Sequence, residues 1–367
     1  MIKVLYDHQI FSLQQYGGIS RYFANLYHAF KKGDVIDPSV SLLYSRNHYL
    51  NDVHKPLPSF IGEMVAAKKS RLYKWNKLYN RSQIKKNNYD LLHPTYYDPY
   101  FLKNLRKPYI LTVHDMIYEV FPEYFEAADK FVKHKRNLIE KADHLIAISD
   151  STKHDLQQYY GIADQQITVV HHGFYPEASS AKPKEFDVSD YLLVVGDRSA
   201  YKNFQPFVEA IEPLLRSNRS LQLVCTGGGK FKPEEQIFLQ RLDINKQVHQ
   251  INASNAELNY LYQHAKLFVF PSLYEGFGFP LLEAFSNNCP VAASNTSSFK
   301  EVGGDAVAYF DPHDQNDILK AITAIIENEA VATKLKEEGS LQLKKFTMET
   351  CVAKTADVYR MSFSGKE

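Results

Sequence analysis

The sequence lacks the features of a small disulfide-bonded, nucleic-acid-binding or membrane-spanning protein. Its cysteines, Cys225, Cys289 and Cys351, are odd in number and far apart, which fits neither a disulfide framework nor a zinc site and predicts reduced, packed thiols. Lys and Arg total 43 against 42 Asp and Glu, so there is no basic excess that would attract nucleic acid. No apolar run approaches the roughly 20 residues that cross a bilayer.

Two further absences concern targeting and metal binding. The opening residues, MIKVLYDHQI, form a strand-like run without the basic region, apolar region and cleavage site of a signal peptide, which predicts a cytoplasmic protein. No two aspartates are spaced as Asp-x-Asp, a short pair that often binds a divalent ion, and no cysteine or histidine cluster has ligand spacing. We therefore predict neither a metal site nor a bound cofactor.

Short apolar runs alternate with longer amphipathic stretches, which is the pattern of parallel βαβ units. The predicted strands of the first half are 2–6, 39–44, 109–113, 144–148 and 167–170. Those of the second half are 191–195, 221–225, 247–251, 267–270 and 290–293. We predict an α/β protein of two doubly wound domains. The predicted segments are a first domain 1–173, a linker 174–190, a second domain 191–345 and a last helical segment 346–367.

In doubly wound sheets, ligands bind beyond the carboxyl ends of the strands. The segment YEGFGFPLLE (274–283) follows a predicted strand and places Glu275 and Glu283 on either side of a glycine-rich turn. A carboxylate accepts hydrogen bonds from the vicinal hydroxyls of a sugar, and backbone N–H groups at a helix start can receive a phosphate. Those N–H groups belong to Gly276, Phe277, Gly278 and Phe279. The segment predicts a nucleotide-sugar site; the alternative is an exposed helix with surface glutamates.

A second loop, VVGDRSAYKNF (194–204), places Arg198 and Lys202 after a strand end, where two cations can converge on one diphosphate. The alternative is a solvated helix start. The run that begins at Gly227 would bring backbone close to a ligand, but it matches neither the P-loop nor the dinucleotide fingerprint, so a plain tight turn is the better interpretation.

The first half contributes two more candidates at strand ends or helix starts. His114, in TVHDM, follows an apolar strand and can hydrogen-bond a sugar hydroxyl. Gly17 and Gly18 open the first long helix and would allow close backbone approach. Each of these has an ordinary alternative, a chance strand-end histidine or a simple helix start.

Together, GGISRY (17–22), TVHDM (112–116), IAISDSTKHDL (146–156), GDRSAYKNF (196–204) and residues 275–283 resemble the retaining family-4 glycosyltransferases. The resemblance spans both halves of the chain. It implies the GT-B fold, in which two Rossmann-like domains face each other across a cleft, with the acceptor bound by the first domain. It also implies that the last helix crosses back to the first domain, which the stripe Val352, Ala356 and Tyr359 supports.

The resemblance assigns roles to the candidate residues. It implies that Arg198 and Lys202 bind the donor diphosphate without a metal ion. Glu275 and the amides after it would hold the transferred sugar, and Glu283 would bind the ribose. His114 would contact the donor sugar, and Gly17 and Gly18 would lie by the phosphates.

The implied reaction moves a sugar, with GDP-mannose favoured as donor, to a hydroxyl of a glycan or lipid-linked glycan in surface-polysaccharide synthesis. Retention by double displacement needs a carboxylate behind the anomeric carbon, and the sequence identifies none. A same-face substitution assisted by the departing phosphate is therefore favoured. The alternatives are a sugar-nucleotide epimerase, which would need further carboxylates, and a non-catalytic sugar-nucleotide-binding protein, which would be expected to lack Glu275, Arg198 or Lys202.

The segment 62–86 concentrates positive charge, with eight basic residues against the single acid Glu63. Apolar residues recur at helical spacing along it: Met64, Val65, Leu72, Trp75 and Tyr79. This pattern predicts a helix lying in a membrane interface, which would place the protein on the inner face of the plasma membrane. The alternative is an apolar stripe packed on the first domain, with solvated lysines.

Overall fold

A computed structural model describes residues 1–53, 55–125 and 128–364, and these fall into two compact units. The first unit comprises residues 1–173 together with the chain from Met348 onward, and the second comprises Phe174–Thr347. Each unit has its own cluster of buried apolar side chains. Both units are large enough to bury a core of their own.

The first unit contains two short parallel sheets, each of three strands. Their strands are β1 (Ile2–Tyr6), β2 (Ile36–Val40), β3 (Leu91–His93), β4 (Ile110–Val113), β5 (His144–Ala147) and β6 (Ile167–Val169). The strand orders are β2-β1-β3 and β4-β5-β6, and a parallel bridge between Leu92 and Tyr109 joins β3 to β4. Because β2 and β3 lie on opposite sides of β1, the direction of strand addition reverses between β1 and β3.

The helices described in this part of the first unit connect these strands, and α2 and α7 pack against them. They are α1 (Gln9–Leu13), α2 (Gly18–Lys31), α3 (Ser59–Ala66), α4 (Lys69–Lys86), α5 (Ile117–Val120), α6 (Asp129–Ile139) and α7 (Asp150–Tyr160). Local hydrogen bonding sets the limits of α7. At its start, the Ser149 side chain accepts a hydrogen bond from the Thr152 N–H. The same helix ends at Gly161, which is left-handed with φ +64°.

The second unit is built on one parallel sheet of six strands. They are β7 (Tyr191–Val195), β8 (Gln222–Thr226), β9 (Val248–Ile251), β10 (Leu267–Phe270), β11 (Val291–Ser294) and β12 (Val307–Phe310). The strand order is β12-β11-β10-β7-β8-β9, with Leu192 of β7 in register with Leu267 of β10. The chain runs outward from β7 to β9, returns to β10 and runs outward again. The reversal between β7 and β10 is where open α/β sheets bind ligands.

The remaining helices connect these strands and close the chain. They are α8 (Phe204–Ser217), α9 (Pro233–Arg241), α10 (Asn255–His264), α11 (Phe279–Ser286), α12 (Phe299–Gly303), α13 (Gln315–Ile326), α14 (Glu329–Leu343) and α15 (Met348–Ser364). The last of them, α15, packs in the first unit, where the Tyr359 hydroxyl lies 2.9 Å from that of Tyr6 and 2.8 Å from His93 Nδ1. This buried polar contact explains why the last apolar stripe belongs with the first core.

The predicted linker 174–190 is not a free tether, because it belongs to the second unit and runs along α10. The Ala181 N–H donates to the Ala256 carbonyl at 3.0 Å, and the Ser180 hydroxyl donates to Gln263 Oε1 at 2.7 Å. A polar segment satisfies its backbone by bonding to a neighbouring helix as well as to water, and composition does not distinguish the two cases.

The basic segment 62–86 forms two helices, α3 and α4, instead of one amphipathic helix. Val65 and Leu72 are buried, whereas Met64 is 64% exposed and Trp75 is 46% exposed, so the predicted single apolar stripe is wrong. The extended backbone of Lys68 separates the two helices. Within the described residues, none of the helices combines the length and apolar character that a bilayer crossing requires.

All three cysteines are buried free thiols, as predicted. Burial raises the pKa of Cys225 and Cys289 to about 12 and that of Cys351 to about 11. Thiols with such pKa values are protonated and unreactive at neutral pH.

Candidate active site

The loops after β7 and β10 meet at the reversal point of the second sheet. Strand β7 leads into Gly196, whose φ of +127° turns the chain, and a short helical turn then ends at Lys202. The Leu273 N–H, beyond β10, donates to the Tyr201 carbonyl at 2.8 Å and fixes one loop on the other. As a result Lys202 Nζ lies 2.5 Å from Glu275 Oε1, which brings together two residues predicted from separate motifs.

Two serines after β11 hold the backbone around Glu275. The Glu275 N–H donates to the Ser297 hydroxyl oxygen at 3.1 Å. The Ser298 hydroxyl lies 2.9 Å from the Glu275 carbonyl and 2.8 Å from the Phe277 carbonyl. Gly278, with φ +101°, then starts α11 in a conformation that favours glycine. The carboxylate is thus placed by a rigid loop, which a specific ligand contact requires.

The pair formed by Lys202 and Glu275 is largely buried but reaches solvent, with 16% and 18% of the side chains exposed. Burial disfavours the charged lysine, but the Glu275 carboxylate outweighs it and holds the pKa of Lys202 above its ordinary value. Lys202 is therefore an ammonium ion at neutral pH. An ammonium has three N–H donors, so it can bond an anionic ligand while it keeps Glu275.

Arg198 is hydrogen-bonded to protein groups, although the sequence predicts that it binds a diphosphate. Its Nε lies 2.6 Å from Glu235 Oε1, and its terminal nitrogens donate to the carbonyls of Gly227, Gly229 and Lys230 at 3.0 to 3.3 Å. Only 4% of the side chain is exposed. The two predicted cations thus pair with different carboxylates, and a diphosphate contact would require Arg198 to give up these bonds.

The glycine run after β8 has a structural reason for its composition. Gly227, Gly228 and Gly229 have φ values of +92°, +68° and +71°, which side chains disfavour. A Cβ on Gly227 would also lie 2.8 Å from the Gly196 carbonyl oxygen. The run is a tight turn packed on the β7 loop, consistent with the ordinary interpretation of this motif.

Glu283 lies in the second turn of α11, the helix that follows the β10 loop. Its Oε2 accepts a hydrogen bond from the Tyr262 hydroxyl of α10 at 3.2 Å, and the side chain is half-buried. Its predicted contact with a ribose stays a prediction.

In the first unit, His114 directly follows β4 and lies among buried aromatic rings. Its ring contacts Tyr22 edge-on at 5.6 Å and stacks on His172 at 5.8 Å. Neither ring nitrogen of His114 has a hydrogen-bond partner among the described residues. Burial lowers the pKa of His114 to about 3, and burial also lowers the pKa of His93 to about 3, so both are neutral at pH 7. We refer to His93, His114 and His172 as the buried histidine cluster.

Gly17 and Gly18 stand at the start of α2, as predicted. A Cβ on Gly17 would collide with the side chain of Gln14, whose Oε1 accepts the Ser20 N–H at 3.1 Å and so caps the helix. A Cβ on Gly18 would meet nothing within 4 Å. Gly17 therefore makes room for a helix cap, and only Gly18 faces open space.

Sequence reasoning missed the residues that fix the loop after His114. Lys135 of α6 donates to the Asp115 carbonyl at 2.6 Å and pairs with Glu119 at 2.9 Å. The two charged side chains are 1% and 4% exposed. In the sequence Lys135 belongs to a run of basic residues that is typical of a solvated helix, so no local signal identifies it.

Both halves of the chain match known protein families. The model of the family described as Glycosyltransferase Family 4 matches residues 16–178, and that of Glycosyl transferases group 1 matches residues 177–342. O-antigen chain mannosyltransferase B of Escherichia coli is 26% identical over 285 residues, 73% of each protein. O-antigen chain mannosyltransferase RfbU of Salmonella typhimurium is 26% identical over 248 residues, 67% of each protein.

Solved structures show the same fold at low identity. Sucrose-phosphate synthase from Thermosynechococcus elongatus superposes with a TM-score of 0.74 at 17% identity over the whole of both chains. WaaG, a glycosyltransferase involved in lipopolysaccharide biosynthesis, gives 0.69 at 16% identity over 98% of this chain and 99% of that one. The two matched families cover most of the sequence, and the chain belongs to the family-4 glycosyltransferases of the GT-B fold.

Proposed function

We propose that the protein transfers mannose, with retention, from GDP-mannose to a hydroxyl of a glycan or lipid-linked glycan in surface-polysaccharide synthesis. The observation that carries the proposal is the pairing of Lys202 and Glu275 at 2.5 Å beside the reversal point of the second sheet. The choice of sugar is supported by the two relatives named as O-antigen mannosyltransferases.

The donor would be bound by groups on two loops of the second unit. Lys202 supplies one positive charge to the diphosphate, and the backbone at residues 276–279 supplies the start of α11, where anions are favoured. Glu275 accepts hydrogen bonds from the transferred sugar, and Glu283 from the ribose. In this arrangement Arg198 acts indirectly, by holding the glycine turn against the β7 loop.

The transfer would proceed on one face of the sugar. The bond between the anomeric carbon and the phosphate oxygen breaks, and its electron pair stays on the diphosphate. The acceptor oxygen bonds to the same face of that carbon, and its proton passes to the departing phosphate oxygen. Lys202 stabilises the charge that develops on the phosphate, a task for which the proposal invokes no metal ion.

His114 would serve the sugar hydroxyls. Its ring is neutral at pH 7, so one nitrogen donates and the other accepts. Both nitrogens are buried without a protein partner in the described structure, a state that costs about 1–3 kcal/mol per group unless a ligand satisfies it.

The test is release of nucleoside diphosphate from a panel of sugar nucleotides, with lipid-linked and free glycan acceptors, in the presence and absence of EDTA. We expect turnover of GDP-mannose that EDTA does not abolish. NMR of the product should show that the anomeric carbon keeps the axial configuration that it has in the donor. Activity restored only by Mn²⁺ or Mg²⁺ would overturn the metal-free route. Turnover of another donor alone would overturn the choice of mannose.

A pair of lysine variants tests the site itself. Lys202→Met should lower turnover ten- to hundredfold, because a charge-assisted contact to the transition state contributes about 1.5–3 kcal/mol. Lys266→Met is the matched control, since Lys266 pairs with Asp190 at 3.3 Å at the opposite ends of the same two strands. Equal turnover in both variants would refute the assignment of Lys202.

We also propose that the exposed face of α3 and α4 binds an anionic membrane surface reversibly. Met64 and Trp75 are exposed beside Lys68, Arg71 and Lys74, and each basic residue near such a surface contributes roughly 1 kcal/mol. Trp75 is the sole tryptophan of the sequence, so its emission reports this face directly.

Vesicles containing anionic phospholipid should shift the Trp75 emission to shorter wavelength at low salt. The variant with glutamine at four basic positions should lose the shift; those positions are Lys68, Lys69, Arg71 and Lys74. A control variant removes the same charge from exposed lysines of the second unit: Lys320, Lys334, Lys344 and Lys345. Unshifted emission of the unmodified protein would exclude the membrane proposal.

A further inference from the structure

An aromatic hollow of about 510 Å³ opens on the first unit. Its walls include the rings of Tyr73, Tyr96, Tyr97 and Phe131, and we call this cavity the aromatic hollow. The ring of Phe131 lies 5.8 Å from that of Tyr96 and 5.6 Å from that of Tyr97. The volume is in the range of about 300–1,000 Å³ that small-ligand pockets occupy.

The hollow lies at the reversal point of the first sheet. Tyr96 and Tyr97 belong to the loop after β3, and Leu13, which also lines the hollow, ends the helix that follows β1. The direction of strand addition reverses between β1 and β3. The first unit thus places a concave aromatic surface where the second unit places Lys202 and Glu275, the position at which parallel sheets bind ligands.

Polar groups stand at the rim of this apolar surface. Asp98 accepts hydrogen bonds from the Tyr73 hydroxyl at 3.0 Å and from Lys77 Nζ at 2.6 Å. Burial opposes ionisation, but the bond to Lys77 prevails and holds the pKa of Asp98 below its ordinary value, so the carboxylate is charged. His134 and Lys69 also line the rim and offer further polar contacts.

This combination fits a sugar ring better than a lipid chain. A pyranose presents C–H groups on its faces, which pack on aromatic rings, and hydroxyls at its edges, which bond to carboxylate, imidazole and ammonium groups. An acyl chain has no hydroxyl groups that could bond to the polar groups of the rim, whereas a sugar has several.

The hollow is also continuous with the loop of His114. The Tyr97 hydroxyl oxygen accepts the His114 N–H at 3.0 Å, so one side chain both lines the hollow and fixes the strand end that carries the histidine. A ring seated on Tyr96 and Phe131 is therefore next to the residue that would contact the reacting sugar.

We propose that the aromatic hollow is the acceptor subsite and binds a pyranose ring of the acceptor glycan, with a C–H face on Tyr96 and Phe131 and hydroxyls toward Asp98 and His134. This inference rests on the proposed glycosyl transfer, because only that reaction would make the bound sugar an acceptor. The binding of a sugar by the hollow can be measured without any donor, which separates the two proposals.

The direct test is saturation-transfer NMR with methyl α-mannoside, α-mannobiose and decanoate as probes. We expect transfer to the ring protons of the mannosides with the unmodified protein, loss of that transfer in Tyr96→Ala and in Phe131→Ala, and retention in Tyr96→Phe, which keeps the ring. Tyr159→Ala is the control, because Tyr159 is an exposed aromatic residue of the same unit outside the hollow. Absent transfer to both mannosides, transfer unchanged in the alanine variants, or transfer to decanoate alone would overturn the proposal.

Kinetics supply a second readout. In Tyr96→Ala we expect the KM for the acceptor to rise at least tenfold, with a much smaller change in the KM for the donor. An unchanged acceptor KM would refute the hollow and leave the transferase proposal intact. Mannoside binding in a protein that turns over no sugar nucleotide would refute the transferase proposal and keep the hollow as a sugar site.

Discussion

The two cations of the β7 loop lie only four positions apart but should respond differently to substitution. Loss of Arg198 should mainly lower the stability of the protein, and loss of Lys202 should mainly lower its turnover. Arg198 is 4% exposed and paired with Glu235, whose side chain is 9% exposed. Removing one partner of a buried ion pair leaves an uncompensated charge and costs about 3–5 kcal/mol. In a domain of this size each kcal/mol lowers the melting temperature by about 2–4 °C, so Arg198→Met should unfold about 6–20 °C earlier.

The second variant in this experiment separates support from contact with the donor. Replacing both partners, in Arg198→Met/Glu235→Met, removes the orphaned carboxylate, and apolar replacements of buried pairs are often neutral in stability. We expect the double variant to recover part of the melting temperature, although the carbonyls of Gly227, Gly229 and Lys230 still lose their donor. If Arg198 acts by holding the glycine turn, turnover should recover only to the same extent as the melting temperature, whereas a lost contact with the donor would keep turnover low. Calorimetry and nucleoside diphosphate release measure the two quantities on the same samples.

Acid pH gives an independent check on the same pair. Burial opposes ionisation of Glu235, but the Arg198 guanidinium prevails and holds its pKa below the ordinary 4.5. A depressed folded-state pKa stabilises the protein above pH 4.5, and this stabilisation disappears as the pH falls through the folded-state value. The double variant should lack this contribution.

One outcome would refute the supporting role of Arg198 and reinstate a diphosphate contact. It is an Arg198→Met variant that melts like the unmodified protein but loses turnover a hundredfold.

Three other predictions concern separate parts of the molecule. Glu275→Gln should keep nucleotide affinity but lower turnover steeply, because an amide replaces one acceptor by a donor, and unimpaired turnover would make Glu275 a surface residue. The buried histidine cluster stays neutral in the folded state while the unfolded chain takes up protons below pH 6.5. The first unit should therefore lose up to about 1.4 kcal/mol per pH unit for each histidine, and urea midpoints that agree at pH 7 and pH 5 would contradict this. The three cysteines should react with a disulfide reagent only after unfolding, and rapid labelling of the native protein would show that a thiol is accessible.

The strands were the most predictable part of the fold, because apolar runs bounded by turn residues correspond to buried parallel strands. The run YLLVV coincides with β7, whereas the predicted strand 39–44 begins three residues after the start of β2. Strand β2 reads IDPSV, so its proline and aspartate conceal it. Strands β3 and β12 were missed although strands as short as β6 and β10 were predicted, so length alone does not explain the difference.

The basic helix α4 shows where patterning fails. Its buried face is formed by Leu72, Asn76, Asn80 and Ile84 at intervals of four residues. The Asn76 amide donates to the Tyr44 carbonyl at 2.7 Å, and its oxygen accepts the Leu43 N–H at 2.9 Å. Asparagine counts as polar in any hydrophobic pattern, yet here it is an anchor because its hydrogen bonds are satisfied inside the protein. The sequence interpretation placed Val65 and Leu72 on one face with Met64 and Trp75, whereas the fold buries the first two and leaves the last two exposed.

The candidate site divides in the same way between what a motif determines and what the sheet determines. The residue types in the β7 loop predict anion chemistry, but β7 lies between β10 and β8, and its loop can reach either neighbour. Lys202 turns toward the loop after β10, at the reversal point, and pairs with a residue 73 positions away. Arg198 turns toward the loop after β8 and pairs with a residue 37 positions away. Since strand order decides which neighbour lies at the reversal, we propose that the cation that faces β10 binds the ligand and that the one that faces β8 holds the turn.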